Sequence, residues 1–81
     1  MIPDNLDTLL TRDAVATALT VSGFPVSVST LATYATRGGG PLYRSFGRKP
    51  LYRWGDALEW AQGRLSKPIR STSERDIEVA A

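Results

Sequence analysis

The sequence predicts a small α+β domain, with the order helix, helix, β-hairpin and helix. Two amphipathic segments are separated by a break that contains Gly23 and Pro25, and two aromatic segments flank a turn that begins with a glycine. The chain has 81 residues, of which 42% are hydrophobic and 22% are charged, as is typical of one globular domain. We therefore expect residues 1–65 to form the domain and residues 66–81, which lack periodicity, to form a flexible C-terminal tail.

The first helix is predicted from a cap and an apolar pattern. Thr11 is a candidate N-cap, and Asp13 lies in the first turn, where a negative charge suits the helix dipole. Small and apolar side chains recur at helical spacing, namely Ala14, Val15, Ala18 and Leu19. We expect a helix near residues 12–20 that ends before Gly23, because a glycine is the usual helix terminator.

The second helix is predicted over residues 28–37. Ser27 is its candidate N-cap, and one face would carry Leu31, Tyr34 and Ala35. The other faces carry hydroxyl side chains and Arg37. Glycines 38–40 and Pro41 end the helix, so this segment and the preceding one form a helix-turn-helix pair.

A β-hairpin is predicted from the two segments at residues 42–46 and 51–54. They flank a four-residue turn over residues 47–50, which begins with Gly47 and ends with Pro50. A proline is tolerated in a turn, where its missing amide donor is not needed. Arg48 and Lys49 would lie at the tip, which gives the hairpin the character of a basic wing.

The last helix is predicted over residues 55–65. Asp56 and Glu59 lie early and Arg64 lies late, in agreement with the helix dipole. Its apolar side would be formed by Ala57, Leu58, Trp60, Ala61 and Leu65.

The aromatic residues and the three consecutive glycines have a structural and a functional interpretation. Aromatic side chains can stack on the bases of single-stranded nucleic acids, but a chain this short needs its aromatic residues in the core. We therefore expect these residues to be buried in the core: Tyr34, Phe46, Tyr52, Trp54 and Trp60. Glycines 38–40 lack the lysine and the strand-to-helix order of a phosphate-binding loop. We expect them to form a flexible connector.

The composition argues against an enzyme. The chain has no cysteine and no histidine, which removes the usual zinc ligands, the commonest general base and the usual nucleophile pairs. The carboxylates are scattered. We expect no catalytic residues, no metal and no cofactor. No apolar segment approaches the ~20 residues of a membrane span, and the N-terminus has no basic-then-apolar signal pattern, so we expect a cytoplasmic protein without a membrane partner.

Charge is concentrated in the middle of the chain. Residues 37–70 contain eight basic and two acidic side chains, a net charge of +6, whereas residues 1–36 and 71–81 each carry −2. A basic segment with this contrast is typical of a nucleic-acid surface, although it is also compatible with an ordinary solvated face.

The ordered set of segments resembles the MerR-like winged helix-turn-helix domains, and among them the small excisionase and AlpA-type proteins of mobile elements. The resemblance covers roughly residues 9–65. It rests on Leu10-Thr11, residues 26–31, Gly40-Pro41, residues 47–52 and residues 57–60. The turn between the first two helices is longer than is typical of that family.

The resemblance implies that the second helix enters the major groove of DNA and that the wing contacts phosphates or the minor groove. The implied recognition-helix residues are Ser27, Ser29, Thr30, Thr33 and Arg37. The implied wing and flank residues are Arg44, Arg48, Lys49 and Arg53, with Arg64 and Lys67 extending the contact. Hydroxyls bind phosphates or base edges, and arginine and lysine neutralise phosphates.

The implied function is that of a sequence-preferring architectural protein for double-stranded DNA. As an excisionase, or recombination directionality factor, it would associate with further copies on repeated sites, bend the DNA and direct a site-specific integrase towards excision. No small-molecule ligand is expected, and its location would be the nucleoid. One alternative is a transcriptional regulator that uses the same surface. Another is a protein-interaction adaptor that does not bind DNA and makes contact through its acidic tail.

Overall fold

The computed structural model describes residues 2–66, 68 and 70 and confirms the α+β class. Three helices pack with one three-stranded antiparallel sheet. In chain order the elements are β1 (Leu9–Thr11), α1 (Arg12–Val21), α2 (Val28–Arg37), β2 (Arg44–Phe46), β3 (Lys49–Arg53) and α3 (Trp54–Gly63). None of the helices formed by these residues has the length and apolarity that crossing a membrane requires.

The two predicted N-caps are confirmed. The Thr11 hydroxyl accepts a hydrogen bond from the backbone N–H of Ala14 at 3.2 Å, and the Ser27 hydroxyl accepts one from Thr30 at 3.1 Å. Each bond satisfies one of the backbone donors that a helix leaves unpaired at its start. The bounds of α1 and α2 therefore agree with the local signals in the sequence.

The end of α1 depends on Gly23, which has a φ of +101°. The Gly23 N–H donates to the Thr20 carbonyl, and the Phe24 N–H donates to the Leu19 carbonyl at 2.8 Å. This pair of bonds is a Schellman motif, which needs the left-handed conformation that glycine adopts without strain. Phe24 then packs against the core that contains Leu19, and this contact sets the path of the chain towards α2.

The sheet contains a strand that the sequence pattern did not predict. The strand order is β1-β3-β2, so β3 is central and β1 lies at one edge. Leu10 is paired with Tyr52, and both side chains face the core. The order of elements is therefore strand, helix, helix, hairpin and helix.

The hairpin turn is shorter than predicted. Gly47 and Arg48 alone form the turn, and Phe46 is paired with Lys49. Gly47 has a φ of +64° and Arg48 has no positive φ, which is the pattern of a type II′ turn. The placement of Pro50 in the turn was wrong, because it lies in β3 opposite Ser45. That pair follows the turn-closing pair, so the Pro50 nitrogen points away from β2 and towards the side of β1. Because β1 ends at Thr11, opposite Leu51, no residue of β1 lies opposite Pro50 and no ladder hydrogen bond is lost.

The helix α3 is capped by backbone from the other end of the chain. It has no side-chain cap, and the N–H groups of Trp54 and Gly55 donate instead to the carbonyls of Thr8 and Leu6, at 2.9 and 2.8 Å. The helix begins one residue earlier and ends two residues earlier than predicted. Leu65 consequently lies outside it and is exposed, so its predicted place on the apolar face was wrong.

The core of the described residues lies between the three helices and the inner face of the sheet. It consists of Val15, Ala16, Ala18, Leu19, Leu31, Tyr52, Trp54, Ala57 and Ala61. Tyr52 and Trp54 are buried as predicted, and Trp60 packs against the core while half-buried. The prediction for Phe46 was wrong, because this side chain is 75% exposed. The predicted tail, residues 66–81, lies outside the described residues apart from Ser66, Pro68 and Arg70.

Two glycine substitutions test the role of the turn. A Cβ at Gly47 or at Gly63 would meet no atom within 4 Å, so only backbone conformation separates the two sites. We expect Gly47→Ala to lower the free energy of unfolding by about 1–2 kcal/mol, because alanine resists a positive φ. Gly63→Ala, in the last turn of α3, should raise it by about 0.5 kcal/mol. Urea denaturation measures both, and equal effects of the two substitutions would contradict the assigned turn.

Candidate nucleic-acid interface

The helix α2 presents one hydroxyl-rich face to solvent. Leu31 is the anchor of the opposite face and is only 1% exposed, while Tyr34 and Ala35 are half-buried beside it. At 100° per residue, the exposed arc centred opposite Leu31 contains Ser29, Thr30, Thr33, Thr36 and Arg37. We call this arc the α2 face. Thr36 was missing from the predicted site, although its spacing of three from Thr33 and seven from Ser29 placed it there.

The hydroxyls at the start of α2 have two roles: one caps the helix, and the others retain donors that face solvent. Ser27 is exposed as predicted, but its hydroxyl caps the helix and donates to the Thr30 hydroxyl at 2.9 Å. Among the described residues, no partner accepts the hydroxyl hydrogen of Thr30 or contacts the hydroxyl of Ser29. Ser29 and Thr30 thus retain a free donor, whereas Ser27 is held by the helix.

Two threonines on the α2 face are oriented by the backbone. The hydroxyl of Thr33 donates to the Ser29 carbonyl at 3.0 Å, and that of Thr36 donates to the Ala32 carbonyl at 3.2 Å. Each bond uses the hydroxyl hydrogen and fixes the side-chain rotamer. What each threonine then offers to a ligand is an acceptor oxygen and a methyl group in a fixed position.

The hairpin carries three exposed cations without partners in the described part of the chain. Arg44 lies in β2, Arg48 in the turn and Lys49 at the start of β3. Within the described residues, none of them takes part in an ion pair or a side-chain hydrogen bond, and neither does Arg37 at the end of α2. We call these four residues, Arg37, Arg44, Arg48 and Lys49, the free cations.

The fourth predicted wing residue, Arg53, has intramolecular partners. Its guanidinium approaches the Asp7 carboxylate at 2.8 Å and the Asp56 carboxylate at 3.1 Å, and its Nε donates to Asp7 at 2.9 Å. The hydrogen bond to Asp7 is the main reason that the pKa of Arg53 lies above its ordinary value. The structure therefore places Arg53 between the N-terminal segment and α3, where its charge is already balanced.

Arg64 also has partners, on the far side of α2. Its guanidinium lies 5.1 Å from the ring centre of Tyr34 and 5.5 Å from that of Trp60, within the range of a cation–π interaction. The two rings meet edge to face at 5.6 Å. These contacts join the end of α3 to α2.

The connector between α2 and the hairpin is fixed at two points. The indole N–H of Trp60 donates to the Gly39 carbonyl at 2.8 Å. At Gly40 the backbone passes so close to Tyr34 that a Cβ there would lie 2.6 Å from the tyrosine Cβ. Only glycine permits this approach. The structure therefore gives Gly40 a close-packing role that the expected flexible connector did not include, whereas Gly38 and Gly39 adopt a positive φ.

The electrostatic character of this region follows from its composition. Between Asp13 and Asp56 the chain contains no acidic residue and five basic residues. Four of the five are the free cations, and they lie on α2 and the hairpin. A positive surface without carboxylates attracts polyanions, and the attraction is strongest where no intramolecular partner competes.

No group of three His, Cys, Asp or Glu side chains among the described residues is placed to hold a metal ion, and none of their polar side chains is buried. A recess of about 310 Å³ between α2 and α3 is lined mainly by apolar side chains, including Phe24, Tyr34 and Trp60. It contains no clustered carboxylates.

Comparison of the chain with protein families, with curated proteins and with solved structures finds no match to any of them.

Proposed function

We propose that this protein binds double-stranded DNA as a winged helix-turn-helix module. In this proposal α2 enters the major groove and the hairpin forms the wing against the adjacent backbone. The observation that carries the proposal is the distribution of charge. All four free cations lie on α2 and the hairpin, and these elements carry no carboxylate. Three other arginines serve internal contacts. Arg12 donates to the Tyr52 hydroxyl, Arg53 pairs with Asp7 and Asp56, and Arg64 lies over the rings of Tyr34 and Trp60.

The chemistry of the α2 face supports contacts to base edges. Ser29 and Thr30 each have a free hydroxyl donor, which suits a phosphate oxygen or a purine acceptor. Thr33 and Thr36 offer an acceptor for the amino groups of adenine or cytosine, and a methyl group for contact with thymine. Because their rotamers are fixed, little side-chain entropy is lost when they bind.

The free cations support contacts to the phosphate backbone. Arg44, Arg48 and Lys49 are exposed on a hairpin whose turn has only two residues, so the charges are carried on a narrow projection. Each phosphate that such a charge neutralises releases condensed counterions, which favours binding at low salt.

The size of the domain favours an architectural role. A single DNA-binding module contacts only ~600–1,000 Å² of surface, so useful specificity requires several copies on adjacent sites. We propose that copies assemble on repeated sites, bend the DNA and direct a site-specific integrase towards excision, as in the excisionase and AlpA-type proteins that the sequence resembles. The proposed location is the nucleoid of the cytoplasm.

A salt titration tests the wing. For Arg48→Ala/Lys49→Ala we expect the slope of log affinity against log salt to become shallower by about 1.8, which corresponds to two phosphates. Fluorescence anisotropy with a labelled duplex measures the slope. Arg53→Gln is the matched control, and because its charge is already paired we expect no change in slope. A change near 0.9 in this control would restore Arg53 to the phosphate contacts.

A charge placed on α2 tests the groove assignment. Ser29→Glu puts a carboxylate in the first turn, where the dipole favours it, so the helix should be as stable as before or slightly more stable. Facing phosphates and base acceptors, the same carboxylate should weaken binding about tenfold or more. Gln62→Glu on α3 makes the same change of net charge and should leave affinity nearly unchanged. Equal losses for both variants would place DNA elsewhere.

A recombination assay separates the possible biological roles. The protein is supplied with an integrase and attachment sites from the same genetic element, and excised product is counted. We expect excision to rise, and to fall back for Arg48→Ala/Lys49→Ala. Specific DNA binding without any effect on excision would favour a transcriptional regulator. Absence of binding to any duplex at low salt would favour the protein-interaction adaptor.

A further inference from the structure

The tip of the hairpin carries an unexpectedly exposed aromatic ring. Phe46 is 75% exposed and is the last residue of β2, directly before the Gly47–Arg48 turn. It is paired with Lys49, and paired residues on neighbouring strands point to the same face of a sheet. A large exposed apolar side chain therefore lies beside Lys49 and directly before the turn that carries Arg48.

The strand pattern explains why Phe46 cannot reach the core. Tyr52 faces inward on β3 and is paired with Leu10 on β1. The residue opposite Tyr52 on the other side is Tyr43, which directly precedes β2, and the two tyrosine rings lie 5.6 Å apart. Alternation along β2 then sends Arg44 and Phe46 to the outer face. The exposure of Phe46 follows from the register of the hairpin and does not depend on a particular rotamer.

We infer that Phe46 is a wedge that enters the minor groove of DNA and inserts between neighbouring base pairs. This inference rests on the proposed function and specifies how the wing would bend DNA. Exposed apolar side chains on minor-groove elements unstack base steps and kink the duplex, and phenylalanine is among the residues that do so. Arg48 and Lys49 would hold the phosphates on either side and so position the ring over the step.

A second exposed apolar side chain, Leu42, allows a wedge at the tip to be distinguished from a general apolar surface. Leu42 is 73% exposed and precedes β2 at the end of the hairpin remote from the turn. It has no free cation beside it other than Arg44, and Arg53 at that end is neutralised by Asp7 and Asp56. Charge complementarity to DNA therefore favours the tip and not the remainder of the outer face.

The test measures bending and unstacking separately from phosphate binding. The best-bound duplex from a random pool is labelled at both ends for energy transfer, and 2-aminopurine is placed at successive positions to report unstacking. For Phe46→Ala we expect the change in energy transfer to fall by more than half, the 2-aminopurine signal to disappear and affinity to drop about tenfold. The salt slope should be unchanged, because the cations remain. Phe46→Leu should retain part of the bend.

Leu42→Ala is the matched control, since it removes a comparable exposed apolar side chain from the same hairpin. It should leave bend, unstacking and affinity unchanged. A full bend with Phe46→Ala would overturn the wedge. Loss of cooperative binding in both variants with the bend intact would also overturn it, and would assign the outer face to contacts between proteins. If the protein does not bind DNA at all, the unmodified protein will show no salt-dependent binding, and this result is distinct from the loss of the wedge alone.

Discussion

The pairing of β1 with β3 is the constraint on which the remaining structure depends. Each of these strands continues without a loop into a helix, β1 into α1 and β3 into α3, so their pairing fixes where both helices begin. Tyr52 reinforces the pairing from within, because it is buried at the centre of the sheet and its hydroxyl accepts a hydrogen bond from Arg12 at 3.0 Å. The segment before β1 then supplies carbonyls to the first turn of α3. In this way three short strands orient a helical core that is itself small.

The arginines in elements that the structure describes are chemically alike but have two different kinds of environment. Arg12, Arg53 and Arg64 join elements that are distant in sequence, through a tyrosine hydroxyl, two carboxylates and two aromatic rings respectively. The cations on α2 and the hairpin have no such partners among the described residues. A paired cation has already exchanged water for protein contacts, so it gains less from a new anion than a hydrated one does. The net charge of a segment therefore overstates the charge that is available for binding.

The sequence predicts those parts of the fold that depend on interactions between residues close together in the chain, and it misses those that depend on distant residues. Thr11, Ser27 and Gly23 act on backbone groups within five residues, and they predicted the limits of α1 and α2 closely. The strand β1 has only three residues, and its partner lies about forty residues away, so no local pattern identifies it. The cap of α3 by Leu6 and Thr8 is equally non-local. Phe46 was misassigned because hydrophobicity predicts burial only when the register of the strand is known.

The candidate site shows the same dependence on range. Helical spacing predicts which residues of α2 are exposed, and it would also have included Thr36. Sequence alone does not separate Arg53 from Arg48, because the carboxylate of Asp7 that pairs with Arg53 comes from a segment 46 residues earlier. The sequence predicts Ser27 both as an N-cap and as a recognition residue, and the bond from the Thr30 N–H shows that capping occupies this hydroxyl.

The core draws no side chain from β2 and a single one, Leu31, from α2. The elements that carry most of the candidate interface, namely α2, β2 and the turn, are thus nearly independent of the residues that stabilise the domain. Only Lys49 lies on a strand, β3, that also contributes a side chain to the core. Substitutions on their exposed positions carry a small thermodynamic penalty, typically within ~0.5 kcal/mol for surface sites. Substitutions at these positions are therefore able to accumulate one at a time, each leaving a folded domain. The same separation makes the domain a suitable scaffold for selecting new specificities from libraries randomised at α2 and the hairpin tip.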